Sequence, residues 1–241
     1  MKEHHNIRHT WGEGLSKFQT TEWTQVERSQ ASRAITGELY QRYQRPVYLY
    51  LCRRGFSKHQ AQDLIQSFFT DKVLGQQLFD KADPGKGKFR TFLLSAIRNY
   101  AIDQHRTAKS ENNWNDSIQP ATLQDNPVNA FNRTWALQVL EDCLQELEAE
   151  CQTRGKKKHW DCFRYWLLEP QTLADKTTMS DICRKLHIDD PSQAYNMIAN
   201  IKRRFQLILR KRLRRQVRSD DQVDEEITDF LKLFSRDTER M

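Results

Sequence analysis

The sequence predicts an all-α protein in which two helical domains are joined by a flexible linker. Apolar residues recur at three- and four-residue spacing in several segments of the 241-residue chain, which is the pattern of a buried helix face. A polar, aperiodic stretch rich in Asn, Asp, Gln, Ser and Pro interrupts this pattern between residues 109 and 130. A second periodic region follows it. We therefore assign residues 28–108 to one helical domain and residues 131–218 to another.

The first domain begins after a polar N-terminal arm, residues 1–27. Helical spacing predicts a first helix over about Ser29–Arg54, with a kink or a break at Pro46. A second helix is predicted to start after Ser57, whose hydroxyl is suited to capping, and to end before Gly75. With the helix that follows, these segments form a three- or four-helix bundle.

The stretch Asp83–Arg106 joins a basic loop to an amphipathic helix that we predict from about Lys88 to His105. Gly85 and Gly87 allow the loop to turn tightly or to approach a ligand closely. An apolar stripe predicts the buried side of the helix, whereas Lys, Arg and Asn side chains occupy the loop and the other side. Such a surface suits phosphate, although a basic loop before a helix is also typical of ordinary solvated surface.

The second domain is predicted to begin with a long helix from about Phe131 to past Leu147, followed by a shorter helix that ends at Pro170. The candidate core positions of the long helix are Trp135, Leu137, Leu140, Leu144 and Leu147.

A helix-turn-helix outline follows. The segment TTMSDICRKLHI predicts one helix, DDPSQ predicts a turn, and Asp190 can cap a helix whose first residue is Pro191. The buried face of this last helix is well defined, and its opposite face carries short polar and cationic groups that can reach base edges and phosphates in a major groove. Many helical hairpins share this outline, so a helical module that binds an acidic protein remains an alternative.

Residues 219–241 form an acidic amphipathic C-terminal extension, because six acids precede an apolar stripe around Phe230. One interpretation is a terminal helix that packs on the second domain with its acids in solvent. The other is a hypothesis in which these acids cover the arginine-rich segment before them and compete with DNA.

Composition sets the class of partner. The net charge of +7 and the pI near 9.2 favour a polyanionic partner. The five cysteines form no CxxC pair, which argues against a disulfide scaffold and fits a reducing cytoplasm. We expect a soluble cytoplasmic protein without a cofactor. We expect no enzyme either, since no nucleotide-binding or protease motif is present and the group Cys151, His159 and Cys162 is an incomplete metal-ligand set.

The order of these parts resembles a bacterial RNA polymerase sigma factor, and more narrowly the small extracytoplasmic-function (ECF) group. The most specific portion is DLIQSFFTDKVL followed by FRTFLLSAIRNYAIDQHR, and the resemblance covers roughly residues 28–218. It implies that residues 28–108 resemble sigma region 2, which binds core polymerase and melts the minus-ten element. Residues 131–218 resemble region 4, whose helix-turn-helix reads the minus-thirty-five element.

The resemblance also implies roles for individual residues. The polymerase-binding residues are Asp63, Leu64, Gln66, Phe68 and Phe69. The minus-ten DNA-binding residues are Lys86, Lys88, Arg90, Arg98, Asn99, Asp103 and Arg106. The minus-thirty-five DNA-binding residues are Ser192, Gln193, Tyr195, Asn196, Asn200, Lys202, Arg203 and Arg204. The loop Asp80–Lys88 corresponds to the one that captures a flipped base. Phe92 replaces a Trp that is frequent in the family, and we interpret Phe92 as a core residue.

The implied partners are core RNA polymerase, through the clamp helices of its largest subunit and the flap of its second subunit, and promoter DNA. An anti-sigma factor is a further candidate partner. The alternative from another class is a stand-alone helix-turn-helix regulator, which would explain residues 177–218 but would leave DLIQSFF without a role.

Overall fold

The structure is a computed structural model that describes residues 33–75, 78, 87–110, 126–168, 178–217 and 219–235. Within these ranges the ordered elements are all helices and no β-strand occurs, which confirms the all-α prediction. The predicted N-terminal arm, the loop residues 80–86, Pro170 and the linker residues 111–125 lie outside the described residues.

Helix α1 spans Arg33–Arg53 and contains Pro46 without interruption. Of the two outcomes predicted at Pro46, a kink or a break, the break does not occur. Proline removes one backbone hydrogen bond, yet the neighbouring Tyr43, Val47 and Tyr50 are buried and hold this part of the helix against the core. Tertiary packing here outweighs the local cost.

Helix α2 spans Lys58–Ser67 and starts as predicted at Ser57. The Ser57 hydroxyl accepts a hydrogen bond from the Gln60 backbone, and the Gln60 side chain accepts one from the Ser57 backbone at 2.9 Å. The chain then continues as a π-helical segment, Phe68–Gly75, that buries Phe68 and Phe69.

Helix α3 spans Phe89–Ser110 and runs farther towards the linker than predicted. Its predicted apolar stripe is buried at Phe89, Leu93, Ile97 and Tyr100. Phe92 is partly buried against the same core, which agrees with its interpretation as a packing residue.

Helix α4 spans Pro127–Thr153 and begins inside the predicted linker, because Asn126 caps it and Pro127 suits a first helical position. Trp135 and Leu147 are buried as predicted. Leu137 is 51% exposed, so its assignment to the core is wrong. Val139 and Cys143 lie on the buried face instead.

Helix α5 spans Lys157–Phe163 and passes into a π-helical segment, Arg164–Leu168. Helix α6 spans Met179–Leu186 and helix α7 spans Pro191–Arg214. His187 ends α6 in the left-handed conformation, with a φ of 51°, and Asp190 caps α7 as predicted.

Helix α8 spans Val223–Ser235 and is preceded by a short 3-10 turn, Asp220–Gln222. Its Phe230 ring meets the ring of Trp135 in α4 edge to face, with 5.9 Å between their centroids. The C-terminal extension therefore packs against the second predicted domain.

Helices on the two sides of the predicted linker share one hydrophobic core. α1 and α4 form the most extensive helix pair, and the Tyr43 ring lies between Phe89 and Phe131, at 5.5 and 6.5 Å. The Tyr43 hydroxyl also donates a hydrogen bond to Gln216, near the end of the second half, at 3.4 Å. The division into two domains stays a prediction, and in this structure the two halves lie together.

Candidate nucleic-acid interface

The residues predicted to bind polymerase separate into an exposed and a buried set. Asp63 and Gln66 are exposed on α2, whereas Leu64, Phe68 and Phe69 are buried. Phe68 is 0% exposed, and its ring meets Phe69 and Tyr100 at 5.5 and 5.6 Å. The three buried side chains cannot contact a partner directly in this structure. They belong to the core that positions the exposed pair.

The residues predicted to bind the minus-ten strand also divide, and the division falls along α3. Arg98, Asn99, Asp103 and Arg106 are exposed. Their spacing places them on one side of the helix, away from the buried stripe. This exposed α3 face is accessible to a ligand. Lys86 lies outside the described residues.

Arg90, at the start of α3, is buried rather than exposed, so its predicted place on an open DNA-binding surface is wrong for this structure. Its guanidinium lies 4.3 Å from the centre of the Trp135 ring and forms an ion pair with Glu226 of α8. Glu226 is itself 0% exposed. A buried cation requires such a partner, since an unpaired charge in the core is strongly unfavourable.

Lys88 extends the same ion pair to a small network. Its ammonium lies 2.5 Å from the Glu226 carboxylate and 2.9 Å from that of Asp229. The hydrogen bond from Lys88 lowers the pKa of Asp229 below its ordinary value of 3.8, so this carboxylate is charged at neutral pH. We call Glu226 and Asp229, together with their partners Lys88 and Arg90, the α8 clamp. While these ion pairs are formed, the two cations are not available to contact DNA.

The exposed face of α7 contains most of the residues predicted to read the minus-thirty-five element. The exposed members of this set are Ser192, Gln193, Tyr195, Asn196, Asn200 and Arg203. Lys202 instead lies 3.6 Å from the centre of the Trp166 ring, and Arg204 donates to Glu150 of α4 at 2.8 Å. These two cations support the helix against its neighbours, while the other six remain accessible.

The acids of the C-terminal extension contact arginines at two places. Asp224 pairs with Arg210 and Asp220 pairs with Arg214, all at or near the surface. The hydrogen bond from Arg210 lowers the pKa of Asp224. The extension therefore covers part of the arginine-rich segment, as one interpretation expected, but Glu226, the buried acid among its described residues, contacts α3 instead.

Sequence reasoning missed Glu226 as a residue that positions Arg90. Glu226 lies three residues after Val223 and four before Phe230, and both of these are buried. An acid on the apolar stripe of a helix was the signal that could have identified it. Arg54 was missed as well. It follows the last residue of α1 and lines a cavity together with Arg98 and Arg106.

Three buried cysteines have thiols that ionise less readily than usual, and the described part of the chain contains no metal site. Burial raises the pKa of Cys143 to about 12 and raises the pKa of Cys151 and Cys162, so these thiols stay protonated. The described residues contain no group of three or more His, Cys, Asp or Glu side chains placed to hold a metal. Among the described helices, none has the length and apolarity needed to span a membrane.

Comparison with known proteins gives one match to a family model, over part of the chain. Residues 39–111 match the family model Sigma-70 region 2. The match covers most of α1, all of α2 and all of α3, so it includes Asp63, Gln66 and the exposed α3 face. It supports a sigma factor family and a role in transcription initiation, with core RNA polymerase and promoter DNA as partners. Neither the curated proteins nor the solved structures gave a match.

We predict that Glu226→Gln lowers the free energy of unfolding by about 3 to 5 kcal/mol, because it removes one member of a buried ion pair and leaves Arg90 without a countercharge. Urea denaturation of the full chain measures this change. Glu225→Gln is the matched control, since Glu225 is the exposed neighbour on α8, and we expect it to change stability by less than about 0.5 kcal/mol. Equal effects of the two substitutions would contradict a structural role for the pair.

Proposed function

We propose that this chain is an ECF-type sigma factor that binds core RNA polymerase and directs promoter-specific transcription initiation. The observation that carries the proposal is the Sigma-70 region 2 match over residues 39–111, which falls on the helices that expose two separate polar surfaces. One surface contains Asp63 and Gln66 on α2, and the other is the exposed α3 face.

The α2 surface is the proposed contact with the polymerase clamp helices. Asp63 and Gln66 supply a charge and an amide that can form hydrogen bonds across an interface. The buried Leu64 and Phe68 beneath them fix the helix in place. Ser67 stands where the family usually has Glu, so the proposal does not include a polar contact at this position.

The exposed α3 face is the proposed site for the melted non-template strand. Opening a duplex costs about 1.4 kcal/mol of stacking for each base step, so a promoter stays open only when the exposed strand is held. Arg98 and Arg106 can neutralise phosphates, while Asn99 and Asp103 can form hydrogen bonds with unpaired bases. No covalent chemistry by this chain is needed for that step.

The exposed residues of α7 are the proposed reader of the minus-thirty-five duplex. Ser192, Gln193 and Asn196 occupy the first turns of the helix, which is the part that reaches base edges in helix-turn-helix proteins. Arg203 lies farther along and is suited to a phosphate. Two binding surfaces on one chain raise the effective concentration of the second once the first is bound.

The α8 clamp affects which residues of the proposed factor can contact DNA. Lys88 and Arg90 belong to the set that the resemblance assigns to the minus-ten strand, and both are ion-paired to α8 here. They can contact DNA only after α8 releases them. In this arrangement α8 therefore blocks the cations at the start of α3, whereas the residues of the exposed α3 face are accessible to DNA.

A stand-alone helix-turn-helix regulator is the alternative function. Both functions use the face of α7, but only a sigma factor uses Asp63 and Gln66.

We predict that the chain, added to purified core polymerase, supports transcription from members of a promoter library. Asp63→Ala combined with Gln66→Ala abolishes polymerase association and transcription, because both groups are exposed on the proposed docking surface, and leaves duplex binding unchanged. Gel filtration with core polymerase and a run-off assay measure these effects. The exposed Gln62→Ala on the same helix is the control. Duplex binding without any initiation by the wild-type chain would instead support the regulator.

We predict that Asn196→Ala weakens binding to the upstream duplex element by about 1 to 3 kcal/mol, because a base contact is lost. Fluorescence anisotropy with a labelled duplex measures the affinity. Gln206→Ala is the control, since Gln206 is exposed about 15 Å farther along the same helix, beyond the first turns that are proposed to read bases. An identical affinity for both variants would reject the assignment of that face.

We predict that Asp220→Asn combined with Asp224→Asn tightens duplex binding about two- to fivefold, because each exposed ion pair that is removed frees an arginine at a modest energetic cost. The matched control is Asp221→Asn combined with Glu225→Gln, which makes the same change in net charge at exposed acids of the same segment. If both pairs tighten binding equally, only net charge matters and the specific covering of Arg210 and Arg214 is refuted.

A further inference from the structure

A cavity of about 270 Å³ opens between the end of α1 and the C-terminal half of α3. It lies away from the α8 clamp and has both an apolar and a basic part. The apolar part is formed by Tyr50, Phe56 and Ile102. The basic part is formed by Arg54, Arg98 and Arg106. No Asp or Glu lines it, so the cavity as a whole favours an anion.

The three arginines are available to a ligand. None of them takes part in an ion pair within the described residues, in contrast to Arg90, Arg204, Arg210 and Arg214 of the same chain. Arg54, Arg98 and Arg106 are also exposed, so their guanidinium groups keep their hydration until a ligand displaces it. Arginine suits phosphate because its planar group can form two parallel hydrogen bonds with phosphate oxygens.

The apolar part can accommodate a flat ring. Phe56 and Ile102 are partly buried and line the cavity, so each presents apolar surface to an occupant. Burial raises the pKa of the Tyr50 phenol, and the nearby cations Arg54 and Arg98 partly offset this rise. Stacking of a base on an aromatic side chain contributes about 1 to 3 kcal/mol in proteins that bind single strands.

We propose that this cavity holds one unpaired nucleotide of single-stranded DNA, with its base against Phe56 and Ile102 and its phosphates on Arg54, Arg98 and Arg106. The inference rests on the proposed function for the strand as ligand. It adds two residues, Arg54 and Phe56, that lie outside the set predicted from the sequence.

The cavity lies towards the C-terminal end of α3, whereas Lys88, the last residue of the segment that the resemblance assigns to base capture, immediately precedes the helix. Ile102 lies about 20 Å along α3 from Phe89, given a rise of about 1.5 Å per residue. A duplex keeps its bases stacked inside and cannot place one in this cavity, so the site selects unpaired strands.

The test compares Arg54→Ala with Arg53→Ala in the full chain. The two arginines are adjacent at the end of α1 and both are exposed, but only Arg54 lines the cavity. We expect Arg54→Ala to weaken binding of a labelled single-stranded oligonucleotide about tenfold, as loss of a charge-assisted phosphate contact predicts, and to reduce its salt dependence. Arg53→Ala changes the affinity less than twofold. Equal weakening by both variants overturns the proposal.

Two further experiments identify the occupant, and a third tests the proposed function. Phe56→Leu keeps an apolar group but removes the ring. We expect it to weaken binding of the intact oligonucleotide more than binding of an oligonucleotide in which every base is replaced by an abasic sugar. Equal weakening of the two probes overturns the placement of a base. Titration with dAMP separates a strand from a free nucleotide: binding of dAMP as tightly as the oligonucleotide, lost in Arg54→Ala, overturns the assignment to a strand. Transcription with core polymerase by the wild-type chain tests the proposed function independently of these arms.

Discussion

The buried ion pair between Arg90 and Glu226 is the constraint on which the arrangement of the helices depends. It joins the start of α3 to α8, and the ring of Trp135 in α4 covers the Arg90 guanidinium. Because both groups are buried, Arg90 requires a countercharge, and Glu226 supplies it. The position of α8 is thereby tied to that of α3, although about 130 residues separate them in the sequence. The C-terminal extension is a part of the fold for this reason.

This constraint divides the basic groups of the chain into two classes. Lys88, Arg90 and Arg204 are satisfied by acids from distant helices, and Lys202 lies over an aromatic ring. Arg98, Arg106 and Arg203 remain exposed. A net charge of +7 alone would suggest a uniformly attractive surface. Pairing instead withdraws some cations, while Arg98 and Arg106 on α3 and Arg203 on α7 stay accessible where the proposed function requires them.

Much of the secondary structure could be predicted because its causes are local. Ser57 and Asp190 cap helices as their side chains and spacing indicate. The buried stripe of α3 follows from its three- and four-residue spacing. Two features differ from what the local pattern suggested. Pro46 does not break α1, and Leu137 does not face the core, because packing between helices decided both. The apolar pattern of one helix cannot show which neighbouring helix packs on its apolar face, or how much of that face the neighbour buries.

The sequence by itself determined the all-α class, most helix starts and the accessible polar residues of α2, α3 and α7. It also carried the motifs that the Sigma-70 region 2 match covers. Only the tertiary structure decided that Lys88 and Arg90 are held by α8, that Phe68 and Phe69 lie within the core, and that Arg54 meets Arg98 and Arg106 around one cavity. The physical reason is the range of the interactions. Capping and helical periodicity act within a few residues, whereas ion pairing and burial depend on which distant segments fold against each other.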